Sequence, residues 1–265
     1  MDPENREWQE PPLPEHIKAE EPPQMSEAAT LGNIFIEPGR TFEDLRRKPR
    51  FVLAALIIAL LTTAYFFALN YKVGDEGTRS FIGEQIDKSP QGGQLTPEQR
   101  NSAIDLQMTI GKVVRFAMPV FVLITIVIGA LLYWGGAKAF GGTGNFLHAL
   151  SVWVYSSLPP TIIAMIANFI VLAFKSVDEI DLAVSQRGVV NANLGLLVNG
   201  KAMPVLATLL SVIDLFAIWG WILASIGLQK TNKISSGSAW AVTIIIALIG
   251  VTFRVVGALF SGNPS

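Results

Sequence analysis

Five stretches of the sequence, at about 51–70, 114–134, 147–174, 203–228 and 238–260, are nearly unbroken runs of apolar residues. Each supplies the ~20 residues that a helix needs to cross a hydrocarbon core, at about 1.5 Å rise per residue. A helix on the surface of a soluble domain keeps a polar face on every turn, and these runs do not. They predict an all-α fold, a polytopic transmembrane helical bundle of about five spans. The composition agrees, with 51% of residues hydrophobic and 15% charged.

Residues 1–29 contrast sharply with this. They hold eight acidic residues, two basic ones and six prolines, so they bury too little apolar surface to offset the entropy of ordering. The segment reads as a disordered, acidic, proline-rich cytoplasmic tail, followed by a membrane domain over 30–265. Between them, Ile34-Phe35-Ile36 precede a Pro38-Gly39 turn, and Thr41-Phe42-Glu43-Asp44 resembles a capping box opening a short helix that ends before Pro49. Its Phe42 and Leu45 lie close to Arg46, Arg47, Lys48 and Arg50, which suits a helix resting on an anionic membrane surface. The same basic cluster sets the orientation: N-terminus cytoplasmic and, after five crossings, C-terminus on the opposite side. The expected location is the plasma (inner) membrane, with the first span as an uncleaved anchor.

The net charge of −1 gives no nucleic-acid partner a foothold. There is no cysteine, which excludes thiol catalysis and thiolate metal sites, and the two histidines, His16 and His148, cannot build a multi-histidine centre. No phosphate-binding loop, nucleophile elbow or metalloprotease motif is present. Neither a cofactor nor a metal is expected. In the first outer loop Thr96-Pro97-Glu98-Gln99 reads as a capped helix start that would run through Ile104 and Met108 into the second span. Asp178, Glu179 and Asp181 in the second outer loop lack the ligand number and spacing of a calcium loop.

Three features lie at membrane depth. Asp214 falls within the fourth run and Arg254 in the outer part of the fifth, each costly as an isolated charge. Arg254 sits in a small-residue stripe, Ala247, Gly250, Gly257 and Ser261, and Asp214 at the margin of another, Ala217, Gly220, Ala224 and Gly227. A buried Asp214–Arg254 ion pair is the economical expectation, with a proton or ion site as its functional counterpart. The third feature is Pro159-Pro160, which removes two backbone donors and frees the carbonyls near Tyr155 and Ser156, predicting a helix break or a packing kink.

Several segments in order resemble the Yip family of polytopic membrane proteins, first known as partners of Ypt/Rab GTPases. They are Ile34-Phe35-Ile36-Glu37-Pro38 with Thr41-Phe42, Leu95-Thr96-Pro97-Glu98-Gln99-Arg100, Ala149-Leu150-Ser151 with Tyr155 through Pro159, Asp214-Leu215-Phe216 with Trp219, and Leu223 through Leu228. The resemblance spans most of 32–260 and is strongest to the bacterial branch, to which the GTPase partners of eukaryotic members do not carry over. It implies a non-enzymatic scaffold or adaptor acting through protein–protein or lipid contacts, with the bilayer, protein partners or further copies of the chain as its contacts. The alternative is a small transporter or channel built on Asp214, Arg254 and the proline-interrupted third span.

Overall fold

The computed structural model describes residues 22–89, 92–185, 188–200 and 202–264. Most of the expected tail therefore lies outside the described residues. Its last part is not loose, however. Ser26 caps a short helix, α1 (Glu27–Asn33), by accepting from the Ala29 N–H, and Thr30 in that helix is fully buried.

The amphipathic helix α2 (Pro38–Arg47) starts four residues earlier than the capping box implied. Pro38 occupies its first turn, where the missing N–H costs nothing. Thr41 lies inside the helix, accepting from Asn33 Nδ2 at 3.2 Å and donating to the Glu37 carbonyl at 3.1 Å. Nor does α2 turn its apolar face to lipid. Phe42 and Leu45 are fully buried against the helix bundle, and the Phe42 ring reaches Gly227. The protein's own core supplies the apolar surface that lipid was expected to provide.

Among the described residues four helices are long and apolar enough to cross a membrane: α3 (Val52–Lys88), α4 (Pro97–Ala139), α5 (Phe146–Phe174) and α9 (Ser236–Ser261). The remaining expected segment, the fourth run at 203–228, is interrupted. It divides into α7 (Pro204–Leu210) and α8 (Leu215–Asn232), with Ser211 to Asp214 between them. A single turn of helix, α6 (Leu182–Ser185), lies in the preceding loop.

α3 and α4 outlast the bilayer. With 37 and 43 residues they run about 55 and 65 Å, against a core roughly 30 Å thick. Gly74 marks where α3 bends, at φ 73° and ψ 178°, a backbone that a side chain would strain. Beyond it the two helices form an antiparallel hairpin laced by Asp75–Lys112, Arg79–Asp105 and a two-pronged Asp87–Arg100 contact at 2.7 and 2.8 Å. The expected box at the start of α4 is present: Thr96 accepts from Gln99 N–H, and Gln99 Oε1 accepts from Thr96 N–H.

The core lies where α5 packs on α8, around the fully buried Val152, Tyr155, Leu158, Ala224 and Leu228. The small residues of α8 are what permit this approach. A Cβ at Gly227 would sit 2.8 Å from Val152 and 3.0 Å from Phe42, and one at Gly220 would stand 3.6 Å from the Ser156 carbonyl oxygen. The corresponding stripe on α9 behaves differently, since Gly250 faces open space.

Candidate functional site

The expected Asp214–Arg254 ion pair is not formed. Asp214 is the N-cap of α8: its Oδ1 accepts from the Phe216 and Ala217 N–H groups at 2.9 and 3.0 Å. Its other oxygen meets Asn193 Nδ2 at 3.4 Å. Arg254 instead donates to Ser211 Oγ at 2.6 Å, at the other end of the interruption. The cause is local. A carboxylate at a helix start satisfies orphan N–H groups and meets the positive end of the helix dipole, so it needs no guanidinium.

The interruption is roofed by the loop before α7. Leu215 N–H donates to the Ala192 carbonyl and Leu194 N–H to the Ile213 carbonyl, a short antiparallel bridge. The loop is tied further down by Val190 N–H to Asn168 Oδ1 at 2.9 Å and by the Tyr65 hydroxyl to the Ser185 carbonyl. Under it lies a recess of about 520 Å³ that Asn193, Ser211, Arg254 and Asn263 help to line. Asn263 Oδ1 is buried there with no hydrogen-bond partner. Asp214 thus sits in a polar layer of protein at the loop end of the bundle, about 24 Å of helix from Lys230 at the opposite end of α8.

The helix break expected around Tyr155, Ser156, Pro159 and Pro160 does not occur either. α5 runs unbroken through both prolines. α8 packs along this stretch, with Gly220 beside the carbonyl of Ser156 and the ring of Pro160. The hydroxyls of Ser156 and Ser157 both turn back to the Trp153 carbonyl, at 3.1 and 2.8 Å. Beside this stretch a groove of about 320 Å³ opens on the bundle flank between α4, α5 and α8.

The basic cluster is divided in its roles. Lys48 is exposed and Arg46 and Arg47 are half-buried, whereas Arg50 is drawn inward. Its side chain is 11% exposed and lies 3.3 Å from Asp44, itself 1% exposed. Arg50 also donates to Thr30 Oγ1 at 2.8 Å, and the Gln24 N–H donates to the other Asp44 oxygen. This pair, rather than Asp214–Arg254, is the buried ionic contact among the described residues. Sequence reasoning missed it by counting Arg50 with the surface charges. Around it, His148 Nε2 is 2.9 Å from the Arg46 carbonyl, and Lys230 donates to Glu43 at 2.6 Å. The Lys230 hydrogen bond holds the Glu43 carboxyl below its usual range. α2 is therefore fastened to both α5 and α8.

Among the described residues no group of three or more acidic or histidine side chains could hold a metal ion, and the Glu179 carboxylate is used to accept from the Ser176 N–H.

Comparison with known proteins agrees with this architecture. No solved structure matches. A membrane protein of Bacillus subtilis (strain 168), "Membrane protein YknW", is 25% identical over 241 residues, covering 89% of this chain and 91% of that protein. The Yip1 domain family matches residues 32–258, nearly the whole helical part of the molecule. By that match the chain belongs to the Yip1 domain family of integral membrane proteins.

Proposed function

We propose that the protein is a non-enzymatic scaffold or adaptor of the plasma membrane, working through protein–protein or lipid contacts, with its N-terminus in the cytoplasm. One observation carries the reading. No Asp, Glu, Lys or Arg occurs at 52–71, 116–137, 146–174, 215–229 or 236–253. Transport of ions or polar solutes uses ionisable groups along the membrane path, and here the charges gather at the ends of the segments. What the fold offers instead is contact surface: a charged α2 platform at one end and the α3–α4 hairpin at the other.

A transporter would need an Asp214–Arg254 centre or a broken α5. Asp214 instead caps α8, and α5 continues as helix through both prolines. The test is ion and solute flux across liposomes holding the purified protein, with Asp214→Asn as control. Background-level flux for both is the expected result. Flux that the protein supports and Asp214→Asn abolishes would overturn the scaffold reading.

A further inference from the structure

We infer that the groove between α4, α5 and α8 is a binding site for one ester-linked glycerolipid of the leaflet on the α2 side. The groove is chemically graded. Tyr133, Trp153 and Ser157 lie at its end nearer α2, and Ala164, Met165 and Phe216 at its other end. From Trp153 to Met165 along α5 is about 18 Å, close to the ~15 Å that one leaflet contributes to the hydrocarbon core. An acyl chain lying along this wall would be matched to it in length.

The polar end sits at the right depth. Tyr133 is about 9 Å of helix from the end of α4, and Trp153 about 10 Å from the start of α5. At this level Phe42 of α2 crosses the bundle to meet Gly227, whose side-chain space is bounded by Val152, next to Trp153. α2 carries its charged residues outward there, so this is the interfacial layer, where ester carbonyls lie.

The donors at that end have no protein acceptor. Tyr133 is 5% exposed and packs edge-on against Trp153, with ring centroids 4.9 Å apart. Neither its hydroxyl nor the Trp153 indole N–H donates to any group among the described residues. A hydroxyl that faces an apolar medium without a partner is costly, and the position of Tyr133 on the groove wall lets a ligand supply the acceptor. Lipid ester carbonyls accept and do not donate, which is the complement required. The floor is kept open by Gly220, where a Cβ would already approach Pro160 to 3.8 Å.

This site rests on the scaffold reading only in making lipid one of its contacts. The test is native mass spectrometry of the full-length protein, loaded with diester phosphatidylethanolamine or with its diether analogue, which lacks the carbonyls. The expected result is retention of one diester lipid about three- to ten-fold more tightly than the diether, the range of a single membrane hydrogen bond. Tyr133→Phe should erase that preference while both lipids still bind. Gly220→Leu should lose both lipids, and Ala164→Phe serves the same purpose should Gly220→Leu lose its thermal transition. Equal retention of the two lipids by the unaltered protein would overturn the site. So would diester retention unchanged in a folded groove variant, or a second chain occupying the groove in place of lipid. Flux in the liposome assay would sink the scaffold reading and leave this result untouched, so the two failures are separable.

Discussion

Removing Arg50 should destabilise the protein far more than its position beside surface charges suggests. At 3.3 Å and an effective dielectric constant near 20, its attraction to Asp44 is about 5 kcal/mol gross. Desolvation consumes much of that, because both side chains are nearly out of solvent. Arg50→Met strands a carboxylate that is 1% exposed and also removes the bond to Thr30, so the loss should be about 3–5 kcal/mol. Asp44→Asn keeps an oxygen for the Gln24 N–H and leaves Arg50 slightly exposed, so about 2 kcal/mol is expected. The double variant should cost roughly as much as Arg50→Met alone or less, giving a coupling near 2 kcal/mol, about a thirty-fold change in the folded-to-unfolded ratio. Reversible unfolding by SDS titration in mixed micelles, followed by tryptophan fluorescence, measures all four corners of the cycle. A coupling below about 0.5 kcal/mol would show that the two side chains act independently and refute the reasoning.

Other expectations follow from the same packing. Asp214→Ala should cost about 0.5–2 kcal/mol as a lost helix cap, and its effect should simply add to that of Arg254→Gln; strong coupling in thermal unfolding would restore the ion pair. Gly227→Leu should lower the melting temperature markedly and loosen α2, seen as proteolysis near Lys48, because Val152 and Phe42 already fill that space. With its carboxyl depressed by Lys230, Glu43 contributes stability above its unfolded pKa of about 4.5, and this is lost as pH falls through the lower folded value. The contact is half exposed, so the step should stay below about 1 kcal/mol and vanish in Glu43→Gln. Reporter fusions should place residue 30 and the C-terminus on opposite sides of the membrane, which requires the interrupted α7–α8 segment to count as one crossing; both ends on one side would overturn it.

The long helices and the Thr96 cap were legible because hydropathy and capping chemistry are local, and α3, α4, α5 and α9 declare themselves in any window of the sequence. Asp214 was legible as unusual and misread in role. Ser211-Val212-Ile213-Asp214 hides a helix start inside an apolar run, and Asp before Leu215-Phe216 is an N-cap signal as well as a buried charge. Pro159 and Pro160 failed as break signals because both are buried where α5 packs on α8, about sixty residues away in sequence, a contact no local pattern can announce. The Asp44–Arg50 contact was hidden for a similar reason: burial of both partners depends on α2 folding onto α5 and α8. For the groove, the sequence held the two prolines and the small residues of α8 but not the arrival of Tyr133 from α4.

Gly74 also fixes how far from the lipid the protein can make contact. Fourteen residues separate it from Lys88, so the end of α3 stands about 21 Å further out. The polar headgroup layer adds only some 5–8 Å to each side of the hydrocarbon. With Gly74 at the edge of the hydrocarbon, the turn at Gly92–Gln94 would stand clear of the headgroups, and a partner docking there would meet it without touching the bilayer. Because the three ion pairs hold the two helices side by side, a pull on that turn would reach the membrane as a tilt about Gly74, the one backbone position in α3 already bent.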